Sequence, residues 1–296
     1  MRTCMKQKTN KPSAGRALRR ITVASIIAAM PVMHAGAHRY PAPQDAIEWT
    51  KGVIITYGAA RISLTEDGKP VDEGSGSVLS LNQARVDAYR KARERALESM
   101  TGLVKGIRID ADTMLTDLLE RSDMVQSRVA HIVNDRTKMK EYPVDFHSSG
   151  CRAELKIFDL LSVIPYRYPA EEMPIRIDNP IPTDYTGLVV DARGCDVTPM
   201  ILPSIFNEEG LEVFGRYLVD IHAATRDGIV SYAYSDDEAM KNRRAGRHPY
   251  YAVAIRGMKG CPVVSDRDIR KVFSSSATIN RLKRCRVIFI IDKKGK

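Results

Sequence analysis

Residues 185–215 read YTGLVVDARGCDVTPMILPSIFNEEGLEVFG, and the order of residue types in this run sets the expected fold. Gly187–Val190 is apolar and β-branched, which suits a buried strand; Asp191, Arg193 and Gly194 then supply the residues that close a turn. Met200–Phe206 is apolar again but carries Pro203, which favours an edge or irregular stretch. Asn207-Glu208-Glu209-Gly210 is a turn sequence, so Leu211–Phe214 should return as the second arm of a hairpin. Asp191 and Arg193 could also sketch half of a reaction centre. An aspartate before a glycine at a strand end more often bonds its own backbone, and no nearby polar residue completes a catalytic set.

Downstream, Leu218–Thr225 fits a helix or a strand, Gly228–Tyr234 a strand, and Ser235 or Asp236 caps a short helix through Met240 and Arg244. Tyr250–Ile255 is strongly β-like, Asp266–Phe273 and Ala277–Leu282 suit helices, and Arg286–Ile291 is a final buried strand. The alternation predicts a mixed sheet carrying helices.

Upstream, Gly52–Gly58 is a strand that follows Trp49, the single tryptophan, and Glu66–Ser77 is a glycine-rich loop without a phosphate-loop pattern. The clearest helix runs over Leu81–Val104. Ser80 and Gln83 form a capping box, and Ala84, Ala88, Ala92 and Ala96 make a stripe that continues to Met100 and Leu103. A stripe of small side chains lets a helix lie close to its neighbour. The opposite face is mixed in sign, which fits solvation better than a nucleic-acid stripe. After an extended Ile107–Asp110, a second amphipathic helix is expected over Thr113–Val133. Tyr142–Phe146 and Cys151–Phe158 then read as an antiparallel hairpin turning at His147–Gly150.

Trp49-x-x-Gly-Val-Ile, the alanine-striped helix and the run Gly102-Leu-Val-Lys-Gly-Ile-Arg-Ile-Asp resemble the N-terminal domain of flagellar assembly protein T and the related twenty-kilodalton envelope lipoproteins. The strand ending in Asp-Ala-Arg-Gly and the Glu-Gly-x-x-Val-Phe-Gly hairpin likewise resemble a segment of secreted bacterial envelope proteins. The resemblance implies an exported α/β module with a structural or assembly role and carries over no catalytic residues. The chain departs from the lipoproteins in lacking a lipid-attachment cysteine, since Cys4 precedes the apolar core of its leader.

That leader spans residues 1–37: Arg16, Arg19 and Arg20, then the apolar Ile21–Met33, then Ala35-Gly36-Ala37, the pattern of a cleaved secretory signal. It carries seven of the chain's 46 Lys and Arg and none of its 36 acids, so the formal charge of +10 falls to +3 for the remainder. The basic-protein argument for nucleic acid goes with it. The mature chain is expected to be soluble, an α+β protein of two sandwich-like domains, residues 42–164 and 185–296, each a mixed or antiparallel sheet covered by helices, joined by a proline-rich linker at 165–184.

Four cysteines remain, Cys151, Cys195, Cys261 and Cys285, which allow up to two disulfides in three pairings or stay as buried thiols. Without a C-x-x-C pair they do not suggest zinc, and the isolated histidines do not suggest any metal. His147 and Cys151 are the nearest approach to a Cys/His pair. There is no G-x-S-x-G, H-E-x-x-H or phosphate loop, and no cofactor is expected.

The basic runs at Lys241–Arg247, with Arg243, Arg244 and Arg247, and at Arg281–Arg286, with Lys293, Lys294 and Lys296, are candidates for an anionic partner. Peptidoglycan, lipid headgroups or an acidic protein face would serve; a solvated helix face and a frayed tail are the plain alternative. Aromatics do not interleave with these charges, which disfavours nucleic acid. The expected function is that of an exported, non-enzymatic envelope protein acting on an envelope or flagellar basal-body partner. A periplasmic ligand-binding module is the rival, followed by an envelope hydrolase built on Asp191, Arg193 and His222.

Overall fold

The structure, a computed structural model, describes residues 43–165 and 183–293. The expected leader at residues 1–37, most of the expected linker at 165–184, Lys294 and Lys296 lie outside the described residues. The fold is α+β, with a four-stranded antiparallel sheet from the first half and a seven-stranded mixed sheet from the second.

The first sheet is ordered β1(Ala46–Glu48), β2(Val53–Arg61), β4(Ser148–Lys156), β3(Lys138–Asp145). Along β2 the inward positions are Ile54, Thr56, Gly58 and Ala60, the period-two pattern of a sheet with one buried face. Helix α1(Leu81–Lys105) lies across that face, opened by the expected Ser80–Gln83 capping box. Its alanine stripe is fully buried and runs on through Met100 to Val104, one position beyond the expected Leu103. The stripe permits close approach: a Cβ on Gly58 would sit 2.0 Å from the Ala92 carbonyl oxygen, and the buried Thr56 hydroxyl donates to the Ala96 carbonyl at 2.7 Å.

Two expectations for this half are corrected. The single helix at 113–133 is two, α2(Leu115–Arg121) and α3(Asp123–Arg136), because Ser122 leaves helical geometry and its hydroxyl caps α3 at Val125. The hairpin turns at residues 146–147, not across His147–Gly150, and Ser148, Ser149 and Gly150 are buried strand residues. Polar, small residues suggested a turn, but here they pair with Ala59–Arg61 at the end of β2. A short 3-10 helix, Ile157–Ser162, closes the half.

The second sheet is ordered β7(Glu212–Phe214), β6(Ile205–Phe206), β10(Cys261–Val264), β9(Tyr250–Met258), β5(Leu188–Asp191), β11(Val287–Ile290), β8(Ser231–Ala233). Strands β9, β5, β11 and β8 run parallel, and β6 and β7 form the expected hairpin, closed by Asn207 bonding to Leu211. Helices α4(Ile221–Asp227), α5(Asp236–Lys241), α6(Asp266–Val272) and α7(Ser276–Lys283) occupy the connections, with Asp220, Ser235, Ser265 and Ser275 as side-chain caps.

The two sheets share one continuous cluster of buried residues, while a smaller cluster of Val189, Ala233, Ile288 and Ile290 with Ala239 and Ala245 covers the opposite face. Backbone bonds from Ile201 and Leu202 to the Arg108 and Ile109 carbonyls join the halves, so the extended Ile107–Asp110 run pairs across to the second half. The buried Tyr232 hydroxyl accepts from Met200 N–H at 3.0 Å and donates to its carbonyl at 3.1 Å, and the Trp49 ring meets the Tyr232 ring edge-on at 5.8 Å. Among the described residues no helix is long and apolar enough to cross a membrane.

Candidate functional site

The parallel strands have two ends, and the sequence candidates divide between them. At the C-terminal end, Asp191 closes β5. Its carboxylate accepts from the Arg193 backbone N–H at 3.2 Å and from the Arg193 guanidinium at 2.8 Å, the turn-closing role its sequence context suggested. Arg193 also reaches Asp236 at 3.1 Å, and the Tyr251 hydroxyl stands within hydrogen-bond distance of both carboxylates, 3.0 Å from Asp191 and closer to Asp236, with one hydrogen to donate between them. Asp292 accepts from the Gly194 N–H at 2.7 Å. The Arg193 guanidinium holds the Asp191 carboxyl below the usual aspartate range, and burial between two carboxylates pushes the Tyr251 hydroxyl up. His222 lies exposed on α4, and no hydrogen bond or ion pair joins it to Asp191 or Arg193.

The N-terminal end opens instead into a cleft of about 1070 Å³. One wall comes from the second half: Asn242, Arg243 and Arg244 after α5, Arg284 and Arg286 before β11, Ser231 at the start of β8, and Arg226 and Asp227 at the end of α4. The other comes from the first half: Trp49–Val53 before and within β2, Lys156 at the end of β4, and Phe158 and Asp159 on the 3-10 helix. Phe158 is wedged at the junction; a Cβ on Gly228 would lie 2.3 Å from its ring, and one on Gly52 2.8 Å from it.

Seven lining side chains are cationic and two are carboxylates. Both carboxylates are engaged, Asp227 with Arg226 at 2.8 Å and Asp159 with Arg136 at 3.8 Å. Lys51 pairs loosely with Glu48 at 3.7 Å. Lys156, Arg243, Arg284 and Arg286 have no carboxylate partner among the described residues, and the Arg286 guanidinium donates to the Arg243 carbonyl at 3.5 Å. Arg244 donates through Nη2 to the Gly228 carbonyl at 3.0 Å and to that of Asp227, while its Nη1 is buried and unpartnered. Burial presses the Arg244 pKa down, yet a guanidinium keeps its charge near neutrality.

Gly187, at the foot of β5, explains how these arginines meet. A Cβ there would lie 2.5 Å from the Arg244 carbonyl oxygen and 3.0 Å from that of Arg286, so only glycine lets the two chain segments converge. Arg247, the third arginine of the run, lies outside the cleft lining. The residues that sequence reasoning missed are Trp49, Lys51, Lys156 and Phe158, which lie far from the arginines along the chain. Aromatic and basic residues that the sequence keeps apart thus share one cavity.

A second, smaller cavity of about 470 Å³ lies near the other end of the strands, lined by Ile47, Trp49, Arg108, Tyr234, Ile291 and neighbours. Trp49 borders both cavities.

The four described cysteines are free thiols, Cys151, Cys261 and Cys285 buried and Cys195 half-buried, so the free-thiol alternative stands in place of disulfides. They sit on separate elements: Cys151 within β4, Cys195 in the loop after β5, Cys261 at the start of β10 and Cys285 after α7. Burial pushes the Cys261 thiol up to about 11 and the Cys285 thiol up to about 12, the reverse of what a reactive thiolate needs. Cys151 is raised for the same reason, and it is buried where His147 is exposed. No reactive pair forms. Among the described residues no three His, Cys, Asp or Glu side chains group to hold a metal.

The second half is similar to a family described as Treponema pallidum Tp0624, second domain, whose model matches residues 187–293. The match spans every strand of the seven-stranded sheet and leaves out the four-stranded one. It includes Arg243, Arg244, Arg284 and Arg286, but not the opposite wall of the cleft. No curated protein matches the chain.

Proposed function

We propose that this is an exported bacterial envelope protein that works by binding rather than by turnover, and that the basic cleft is its contact surface for an anionic partner. The observation that carries this reading is the cleft's charge: seven cations drawn from both halves against two carboxylates, of which Asp227 neutralises only Arg226 and Asp159 pairs with Arg136 outside the lining. Unneutralised cations in a concave site favour acidic ligands by local potential as well as by direct bonds. The signal-like pattern of residues 1–37, a basic start followed by a short apolar core and small residues, supports an exported location. A structural or assembly role follows, with an envelope or flagellar basal-body protein or an acidic envelope component as partner.

The test is recovery of partners from an envelope fraction, using the wild-type chain and an Arg243→Ala/Arg284→Ala variant as baits. The expected result is an anionic component held by the first and lost by the second, on protein whose N-terminus lacks the leader. Equal recovery on both baits, or an intact leader on cytosolic protein, refutes the proposal. The 470 Å³ cavity favours a second reading, a small-ligand module, because its size and apolar lining fit a pocket of that kind.

A further inference from the structure

We infer that the cleft is built for a phosphoryl group, borne by a soluble phosphate ester or by a phospholipid headgroup, rather than for isolated carboxylates. The inference rests on the proposed binding role of the cleft and narrows its ligand.

The first argument is charge density. The unpaired cations are concentrated where two short segments converge, with Arg243 and Arg286 in hydrogen-bond contact through the Arg243 carbonyl and the Arg244 and Arg286 backbones packed on Gly187. A single carboxylate supplies one charge and satisfies one guanidinium fork, which would leave most of this cluster unneutralised. Acidic residues along an extended peptide stand on alternate faces at a rise of about 3.3 Å per residue, so they suit cations strung along a groove. A phosphate monoester brings about −1.5 to −2 charges and three acceptor oxygens to one point.

The second argument is residue type. Five of the seven lining cations are arginines, whose planar fork matches tetrahedral phosphate oxygens and is more weakly hydrated than an ammonium. The third is the orphaned donor. Arg244 is fixed by two carbonyls through Nη2 while Nη1 is buried without a partner. A buried unsatisfied donor is costly, and one more acceptor oxygen at this point would relieve it. Trp49 and Phe158, on the facing wall, offer ring surfaces to the uncharged part of such a ligand.

Trp49 is the single tryptophan and lines the cleft, so its emission responds to occupancy, and the arginine substitutions separate the cleft from the smaller cavity that Trp49 also borders. The full chain is titrated with inorganic pyrophosphate, with hexaglutamate, and with phosphatidylcholine vesicles with and without phosphatidic acid, following Trp49 emission and heat. Saturable pyrophosphate binding, weakened about tenfold or more in Arg243→Ala/Arg284→Ala and unchanged in Arg247→Ala, is the expected result. Both substituted arginines are exposed, so the variant should fold with an unchanged thermal midpoint.

Binding to phosphatidic acid vesicles as well as pyrophosphate places the phosphoryl group on a lipid; pyrophosphate binding alone places it on a soluble ligand. Either supports the inference. Hexaglutamate binding without pyrophosphate overturns it while leaving the anion-binding role intact. Silence with every probe overturns both, and pyrophosphate binding that survives the double substitution removes it from this cleft.

Discussion

The two ends of the parallel strands carry similar kinds of residue and treat them in opposite ways. At the C-terminal end, where open α/β sheets usually bind ligands, Asp191, Arg193, Asp236 and Tyr251 satisfy one another, and Asp292 ties down the following loop. At the N-terminal end, Arg243, Arg284 and Arg286 face a cavity with no carboxylate of their own. Charge that is internally paired is part of the fold; charge left unpaired beside a cavity is available to something else. The N-terminal end departs from that rule because the roof of the cleft, Trp49 to Val53 with Lys156 and Phe158, is supplied by the first half.

Gly187→Ala should break the contrast most severely. Its methyl group meets three backbone carbonyls, of Arg244, Ala245 and Arg286, that cannot rotate away, so overpacking costs about 1–3 kcal/mol and lowers the thermal midpoint by several degrees. Because two of those carbonyls belong to Arg244 and Arg286, pyrophosphate affinity should fall with stability. A variant of undiminished stability would mean that the segments converge less tightly than their geometry indicates.

Asp191→Asn should act on the other end alone. The amide oxygen of the substituted side chain still closes the turn but no longer neutralises Arg193. The pair is partly open to water, the arginine side chain being 39% exposed, so solvent screening limits the loss on substituting Asp191 to roughly 0.5–1 kcal/mol in denaturant unfolding. Binding at the cleft should not change. A fall in affinity comparable to that of Gly187→Ala would merge the two ends into one functional unit.

The acid limb of stability sharpens the point. Asp191 has a folded pKa below its unfolded one, so its contribution is fully present above the ordinary aspartate value of about 3.9 and is lost as pH falls through the folded value. Unfolding curves over that acid range should therefore be flatter for Asp191→Asn than for the wild type. Parallel curves would show that the pair contributes nothing to folding.

Arg284→Ala should have the smallest effect on stability, within about 0.5 kcal/mol and in either direction, since it removes an exposed cation with no ion-pair partner among the described residues. The same substitution should weaken anion binding. A clear loss of stability would show that Arg284 is a structural residue.

Local chemistry made much of the fold legible. Ser80 with Gln83, Ser235 and the Asn207 turn act within a few residues of themselves, and Ala84 to Ala96 announces a close helix contact by spacing alone. Asp191 as a turn closer was legible for the same reason, its partner Arg193 lying two residues away. The misreadings arose where local signals conflicted with pairing at a distance. Ser149 and Gly150 look like turn residues, but β2 claims them as strand, and Ser122 divides a helix whose apolar spacing runs on past it.

By itself, then, the amino-acid order determined most of the segments that become helices and strands, the caps at Ser80 and Ser235, and that no familiar catalytic motif is present. It could not determine that Arg243 and Arg244 would stand beside Arg284 and Arg286, opposite Lys156 and the lone tryptophan. Periodicity and capping act over a few residues, whereas a cavity is made by the crossing of segments far apart in the chain, whose common location exists only once the two sheets have packed on a shared core.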